Sequence, residues 1–293
     1  MIITRLNGGM GNQMFQYAVG RALSIKNNAP LYLDLTFLLD RTPIPNFTYR
    51  NFDLDVFNIK YNVASGKEIP FIYRKYSLGI FMRYIDYIRR KLVSTLGKEK
   101  SRYHFDPAIL ALGPDTYLEG WWQSYKYFEE IEDVIHEDFI LKNPLQLNIK
   151  NLMEVIKKEN SLCIHVRRGD YVGNPFHEIV GKEYYNKGIE KLKTLTKIDK
   201  IYVFSDDIKW CEENMNFELP TMFVGDEYSG KKAEGHLALM SACHHFIIPN
   251  SSFSWWGAWL SNYKNKIVIA PKIWIREQSI NTDDLIPKEW IRI

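Results

Sequence analysis

Short apolar runs alternate with stretches of helical periodicity from the first residue of this chain. Residues 1–6 are mostly apolar, residues 7–13 contain three glycines, and from Met14 onward apolar side chains recur near every third or fourth position. Residues 31–35 supply a second apolar run. An apolar run, a glycine-rich segment and a periodic stretch predict a strand, a loop and a helix. The chain therefore opens with the β-α-β pattern of a doubly wound domain.

The same alternation returns in the second half of the chain. We predict strands at residues 161–166, 200–205, 221–224, 246–249 and 266–270, and helices at residues 184–195, 208–214 and 237–243. A polar segment that contains proline, at residues 143–145, predicts a hinge. The sequence therefore predicts an α/β protein with two domains, residues 1–150 and residues 151–293.

The first predicted domain contains a strongly basic segment. Residues 41–70 predict an irregular connection, whereas residues 74–102 carry nine basic and two acidic side chains and predict a helix. The apolar residues that would share one face of this helix are Phe81, Ile85, Ile88, Leu92 and Leu96. The helix could associate peripherally with an anionic membrane or guide an anionic acceptor. Alternatively, it is an ordinary docking helix with a solvated basic face.

Composition narrows the classes of function. Hydrophobic residues make up 46% and charged residues 25% of the 293 positions, as in globular proteins with a sizeable core. A net charge of +3 is too small to indicate nucleic-acid binding. Cys163, Cys211 and Cys243 form no Cys-x-x-Cys pair, which favours reduced thiols over disulfides or a zinc site. With no signal peptide or apolar run long enough to span a membrane, we expect a cytoplasmic protein.

Charged residues directly follow the predicted strand at residues 161–166. They are Arg167, Arg168 and Asp170, with Gly169 among them. Parallel sheets bind ligands at the carboxyl ends of their strands. Two guanidinium groups side by side match a diphosphate, because each donates two hydrogen bonds in one plane. The alternative is a surface ion-pair cluster in which Asp170 neutralises one arginine.

Two further strand ends carry polar residues. Asn250, Ser251 and Ser252 separate the strand at residues 246–249 from an aromatic helix, so hydroxyls and free N–H groups meet at a helix N-terminus. Helix capping uses the same geometry. After the strand at residues 200–205, Ser205 or Asp206 could cap the next helix, with one carboxylate capping and the other reaching a ligand. Alternatively, the segment serves capping alone, with Asp207 stabilising the first turn.

Tryptophan and tyrosine are concentrated in residues 117–125. Aromatic rings can form a platform for a sugar, which would make this strand end an acceptor site. Such clusters are more often part of the core.

Several ordered motifs together resemble one known family. They are GGMGNQMFQYA at residues 8–18, GWWQS at 120–124, HVRRGDY at 165–171, VFSDD at 203–207, LMS at 239–241 and IIPNSSFSWWGAWL at 247–260. The match runs from residue 4 to about residue 270 and resembles the bacterial α-1,2-fucosyltransferases of glycosyltransferase family 11.

This resemblance implies a GT-B fold, in which two Rossmann-like domains face a central cleft. The first domain would bind the acceptor and the second the GDP-sugar. It also implies inverting transfer of L-fucose from GDP-β-L-fucose to O2 of a terminal β-galactose, without a metal or other cofactor. We expect the acceptor to be a surface-glycan precursor, which could be lipid-linked.

The resemblance also implies roles for individual residues. Arg167 would bind the diphosphate and act in catalysis, and Asp170 is the first candidate for the base that activates the acceptor hydroxyl. Residues implied in donor binding are His165, Arg168, Gly11, Asn12, Gln13, Asp206, His236, Asn250, Ser251, Ser252 and Phe253. Gly11, Asn12 and Gln13 belong to an N-terminal loop that closes on donor or acceptor. Trp122 and Gln123 would bind the acceptor.

The chain departs from the family pattern at two positions. His236 stands where an acidic residue that can bind the guanine edge is expected, with Glu234 two positions earlier, and Tyr125 stands where glutamate is expected. The first departure leaves open a transferase for a different GDP-sugar. A non-catalytic protein that binds nucleotide-sugars or glycans is the alternative from another functional class.

Overall fold

The computed structural model describes residues 1–43, 48–66, 68–69, 95–172, 180–277 and 280–293. Within them the chain divides into two compact units. The first contains Met1–Ile140 and Asn281–Leu285, and the second contains Leu141–Ile280 and Ile286–Ile293. Each unit is built on a parallel sheet, which confirms the predicted α/β class.

The first unit has a five-stranded parallel sheet in the order β3-β2-β1-β5-β4. Its strands are β1 (Ile2–Arg5), β2 (Leu31–Asp34), β3 (Asn62–Val63), β4 (Thr95–Lys98) and β5 (Thr116–Glu119). Its described helices are α1 (Met10–Lys26), α2 (Thr36–Leu39), α3 (Pro107–Leu110) and α4 (Glu132–Asp138). The sheet places the carboxyl ends of β1 and β5 side by side.

Helix α1 begins four residues earlier than the sequence pattern predicts. Gly11, Asn12 and Gln13 therefore lie in its first turn and not in a loop. The glycine-rich segment is short because Gly8 takes a φ of +75°, which lets the chain turn directly from β1 into the helix. The buried Gln13 amide then donates to the carbonyls of Gly8 and Asn51, which holds this turn.

The second unit has a six-stranded parallel sheet in the order β11-β10-β9-β6-β7-β8. Its strands are β6 (Ser161–Val166), β7 (Lys200–Ser205), β8 (Thr221–Phe223), β9 (His245–Ile247), β10 (Val268–Ala270) and β11 (Ile291–Arg292). Its helices are α5 (Leu147–Ile156), α6 (Lys182–Lys193), α7 (Ile208–Asn214), α8 (Glu234–Ser241) and α9 (Ser252–Trp259). Counted from β6, this is the 3-2-1-4-5-6 order of dinucleotide-binding domains.

Strand β6 is the centre of the second unit. All six of its residues are buried, as expected for a parallel strand covered on both faces. Ile164 packs in one core cluster with Tyr185 and Leu192 of α6 and Cys211 of α7. The apolar runs that end in polar residues were therefore good predictors of the strands in this unit, although β11 was not predicted.

The predicted basic helix is wrong at its carboxyl end. Residues 95–98 form β4, which pairs in parallel with β5, and Leu96 is 48% exposed on this edge strand. Residues 70–94, which contain the rest of the prediction, lie outside the described residues. Short apolar runs cannot be assigned to helix or strand by periodicity alone, which accounts for the error.

The spacing of Tyr127, Phe128, Ile131 and Ile135 predicts one helix after the aromatic segment, and the structure has a shorter one. The chain makes two 3₁₀ turns, Tyr125–Tyr127 and Glu129–Ile131, before α4 begins at Glu132. Across the described ranges, no helix is both long enough and apolar enough to cross a membrane.

Candidate functional site

The order of the second sheet creates a ligand position between β6 and β9. After β6 the chain continues toward β7 and β8, whereas β9 and β10 lie on the other side of β6. The segments that leave β6 and β9 therefore diverge, which opens a crevice at their carboxyl ends. Arg167 begins the first of these segments, and Asn250 lies in the second.

The arginines after β6 form ion pairs with the aspartates after β7. Val166 and Ser205 are the last paired residues of the two strands, so the next residues also lie opposite each other. An Nη atom of Arg167 lies 3.1 Å from a carboxylate oxygen of Asp206, and Nε of Arg168 lies 3.2 Å from Asp207. Asp206 and Asp207 thus each pair with one of the two arginines.

Asp206 also holds the backbone of the segment after β6. Its second carboxylate oxygen accepts a hydrogen bond of 2.9 Å from the N–H of Arg168. A Cβ atom at position 169 would collide with the same carboxylate, so the close approach requires Gly169. Asp207 caps α7 by accepting from the N–H of Trp210, so the cap is Asp207 and not Ser205 or Asp206 as the sequence predicts.

The guanidinium groups of the two arginines have different surroundings. The Arg168 guanidinium lies 3.6 Å from the centre of the Trp210 ring and is bonded to Asp207, so it is integrated into α7. Arg167 lies over the ring of Tyr171 at 5.4 Å, and the Tyr171 hydroxyl donates to the carbonyl of Asn250. Arg167 is therefore the arginine placed at the crevice between β6 and β9.

His165 lies beneath Arg167 in the core of the second unit. It is 4% exposed, and its Nδ1 has no hydrogen-bond partner among the described residues. Burial, together with the neighbouring charge of Arg167, lowers the pKa of His165 to about 3. The imidazole is therefore neutral at physiological pH, and its ring lies 6.1 Å from that of Phe253.

The segment after β9 presents the N-terminus of α9. Ser251 has extended backbone at the N-cap, and within the part of the chain described here its hydroxyl makes no capping bond to the helix. The Asn250 amide nitrogen donates to the carbonyl of Trp274, and its buried Oδ1 has no described partner. Ser252 and Phe253 form the first turn of α9. Its N–H groups favour an anion.

His236, which departs from the family pattern, and the nearby Glu234 both form hydrogen bonds to backbone atoms of neighbouring segments. Nε2 of His236 lies 2.9 Å from the carbonyl oxygen of Gly225, and its side chain is buried. The Glu234 carboxylate accepts hydrogen bonds from the N–H groups of Lys231 and Lys232. Both side chains therefore stabilise the turn that leads into α8.

Asp170 lies in a 3₁₀ turn, Gly169–Tyr171, directly after the paired arginines. Its carboxylate is not among the described side chains. Its role as the base therefore stays a prediction.

In the first unit, the predicted residues meet at the carboxyl ends of β1 and β5. The Gln123 amide donates to Oδ1 of Asn12 at 2.6 Å, which links the segment after β5 to the first turn of α1. Both Gln13 and Gln123 are buried, and the Gln13 side chain is used by the backbone of residues 8, 51 and 53. Gln13 thus supports the turn and offers no amide group to a ligand.

Trp122 is a core residue. Its side chain has no exposed surface, and its ring packs edge-on against Tyr127 at 5.6 Å. This position does not support the predicted platform for a sugar. Trp121 is only partly buried and lies 5.1 Å from the Arg102 guanidinium.

Sequence reasoning missed the residue that shapes this turn. Glu99, the first residue after β4, accepts hydrogen bonds of 2.7 Å from the Trp121 N–H and 3.1 Å from the Trp122 N–H. These bonds hold Trp122 at a φ of +56°, a region that large side chains rarely adopt. The signal in the sequence was Glu99, a carboxylate directly after the residues of β4. Because the sequence pattern assigned these residues to a helix, it did not predict that Glu99 lies next to the end of β5.

Comparison with known proteins identifies relatives along the whole chain. Residues 101–293 match the family described as glycosyl transferase family 11. An α-1,2-colitosyltransferase of Escherichia coli is 35% identical to this chain. The alignment covers 100% of this chain and 99% of that protein. A galactoside α-(1,2)-fucosyltransferase 2 of Sus scrofa is 24% identical over 87% of this chain and 68% of its own length.

Among solved structures, a fucosyltransferase from Bradyrhizobium has a similar fold. The TM-score is 0.50 at 14% sequence identity, with 87% of this chain and 91% of that chain covered. The likeness supports the predicted fold type of two Rossmann-like α/β units.

We predict that His165 makes the second unit sensitive to acid. The unfolded chain binds a proton on this imidazole near pH 6.5, whereas the folded chain does so only near pH 3. Acidification between these values therefore favours unfolding, by about 2 kcal/mol from roughly pH 7.5 to roughly pH 5. Denaturant unfolding of wild type and His165→Gln at both pH values measures the difference.

The comparison isolates His165 from His244 and His245, whose pKa values are also lowered by burial. Equal acid sensitivity of the two proteins would contradict the prediction.

Proposed function

The chain belongs to glycosyl transferase family 11, and we propose that it transfers L-fucose from GDP-β-L-fucose to O2 of a terminal β-galactose with inversion. The observation that carries this proposal is the position of Arg167 over the Tyr171 ring, whose hydroxyl donates to the carbonyl of Asn250 in the segment that leads into α9. Arg167 and the first turn of α9 are two separate groups that can bind an anion, and both follow strands at the point where the strand order reverses. This arrangement suits the diphosphate of a nucleotide-sugar.

Arg167 would act on the leaving group. Cleavage of the bond between fucose C1 and GDP builds negative charge on the β-phosphate oxygen, so a fixed guanidinium stabilises the transition state more than the ground state. Asp206 holds the Arg167 side chain and so reduces the reorganisation needed during reaction. The first turn of α9 would bind the remaining phosphate charge through its N–H groups.

The acceptor hydroxyl would attack C1 from the face opposite GDP, which inverts the anomeric configuration. Asp170 remains our candidate for the group that accepts the hydroxyl proton. We place acceptor binding on the first unit, at the carboxyl ends of β1 and β5. A lipid-linked acceptor and peripheral membrane association through residues 74–102 stay predictions.

Colitose is a second candidate for the transferred sugar. An α-1,2-colitosyltransferase is 35% identical across the full chain, a greater identity than that of the fucosyltransferase 2 of Sus scrofa. Colitose is L-fucose without the 3-hydroxyl group, so both donors would place the same diphosphate and the same reactive carbon in the site. The choice depends on whether a polar side chain binds the 3-hydroxyl.

The first prediction of this proposal concerns the donor. With a β-galactoside acceptor, we expect higher kcat/KM for GDP-fucose than for GDP-colitose and no transfer from GDP-mannose, with a product linked through O2. Product mass and NMR linkage analysis provide the measurement. Faster transfer of colitose would favour the second candidate, a product linked elsewhere would refute the regiochemistry, and binding of GDP-fucose without turnover would indicate a non-catalytic protein.

A second prediction separates the roles of the two arginines. Arg167→Ala should lower kcat by some hundreds-fold, because one lost transition-state donor costs about 3 to 4 kcal/mol. Arg168→Ala removes the contacts to Asp207 and Trp210, and should instead destabilise the fold by about 1 kcal/mol. Steady-state kinetics and thermal unfolding of both variants provide the test.

The two variants serve as controls for each other, since each removes one arginine from the same segment. Near-normal activity of Arg167→Ala would refute the role of this residue in leaving-group stabilisation.

A third prediction concerns metal dependence. Because Arg167 and the N-terminus of α9 can neutralise the diphosphate, we expect full activity after dialysis against EDTA and in its continued presence. A loss of activity that Mg²⁺ restores would contradict this expectation. The dialysed enzyme without added EDTA is the control.

A further inference from the structure

A small cavity opens at the carboxyl end of β4 in the first unit. Its volume is about 240 Å³, and its wall contains Glu99, Ser101, His104, Phe105, Asp106 and Tyr127. This volume lies below the roughly 300 to 1,000 Å³ of sites for drug-sized ligands, so the cavity suits one small ring.

The cavity lies next to the position where we place the acceptor. The sheet order puts β5 between β1 and β4, and β4 pairs with β5 in parallel over Thr95–Lys98. Adjacent strands are about 4.8 Å apart, so the end of β4 is one strand spacing beyond the end of β5. A ligand that extends outward from the ends of β1 and β5 along this edge reaches the cavity.

Glu99 connects the two positions physically. Glu99 lines the cavity, and its carboxylate accepts the N–H groups of Trp121 and Trp122. A carboxylate oxygen can accept more than one hydrogen bond, so each oxygen can still accept one from a ligand hydroxyl. Burial raises the pKa of Glu99, and the two backbone N–H groups partly offset this effect.

The remaining lining suits a neutral, polyhydroxylated ligand. The rings of Phe105 and Tyr127 meet edge-on at 5.0 Å and form an aromatic wall. Asp106 lies 3.6 Å from the ammonium group of Lys100, which also lines the cavity, so its charge is balanced. An anionic ligand would face two carboxylates, whereas hydroxyl groups would find acceptors and an apolar surface together.

The wall is also held in place from outside the cavity. The Asp284 carboxylate accepts the N–H of Phe105 and lies 2.9 Å from Nδ1 of His104. It also forms an ion pair with Lys126. These bonds fix the turn that carries the aromatic wall, so the cavity is present before a ligand binds.

We propose that this cavity binds the second sugar ring of the acceptor glycan, the ring linked to the galactose that receives the transferred sugar. The proposal rests on the proposed function, because it assumes a β-galactoside acceptor on the first unit. It assigns the cavity a role in acceptor specificity. The Glu99 carboxylate would accept a hydrogen bond from this ring, and the Phe105–Tyr127 pair would pack against it.

The test compares acceptors of one and two rings. Methyl β-galactoside and lactose share the reactive galactose and differ in the second ring. Wild type should show a kcat/KM for lactose about tenfold above that for the single-ring acceptor, the effect of one hydrogen bond to a charged group. Ser101→Trp, which puts a large ring into the cavity from an exposed position, should remove this preference.

Ala111→Trp is the matched control. Ala111 is exposed in the same connection between β4 and β5 but does not line the cavity, so this variant should keep the wild-type ratio. Circular dichroism and thermal unfolding of both variants check that each is folded. A wild-type ratio near one, or an unchanged ratio in Ser101→Trp, would overturn the proposal.

A direct binding measurement separates failure of this proposal from failure of the proposed function. Saturation-transfer NMR with lactose should show contact through both rings in wild type and loss of the contact to the second ring in Ser101→Trp. Absence of transfer to either acceptor would count against the proposed function. Lactose contact through the galactose alone would overturn the assignment of the cavity while leaving that function intact.

Discussion

The parallel pairing of β6 with β7 is the constraint on which the charged edge of the second unit depends. Its register brings two arginines opposite two aspartates where the strands end. A one-residue shift would break both ion pairs and would exchange the side chains that pack on the two covered faces of β6. Because all six residues of β6 are buried, the core specifies the register and thereby positions Arg167.

The two neighbouring arginines after β6 are held by different partners. Arg168 is held by Asp207 and the Trp210 ring, which join it to α7. Arg167 is held by Asp206 at the crevice, where the N-terminus of α9 lies on the adjacent segment. A fixed guanidinium needs little reorganisation when charge develops on a leaving group, which is the property that an enzyme acting on a nucleotide-sugar requires.

The first unit uses a carboxylate for a comparable purpose. Glu99 fixes the turn after β5 through two backbone hydrogen bonds, which keeps Trp122 in the core and leaves Trp121 at the edge. The bond from Gln123 to Asn12 then joins this turn to the start of α1. In each unit, one acidic side chain thus determines the conformation of the backbone at the strand ends.

Much of this could be predicted from the sequence, and the reason is local. The strands β1, β2, β6 and β7 are short apolar runs separated by stretches of helical periodicity, so their existence and the α/β class follow from the chain itself. The motif around Arg167 and the segment at Asn250 also predicted an anion-binding edge, and this role stays a prediction. Helix α1 and strand β4 were less predictable, because the turn at Gly8 and the pairing of β4 depend on partners distant in the chain.

The sequence by itself determined the α/β class, the positions of the principal strands and the family resemblance, because these depend on short-range patterns of apolar and polar residues. Only the tertiary structure decided which aspartate holds which arginine, that Trp122 is buried, and that Glu99 joins a turn to a cavity. These features depend on strand order and register, which bring together side chains that are between 20 and 40 positions apart along the chain.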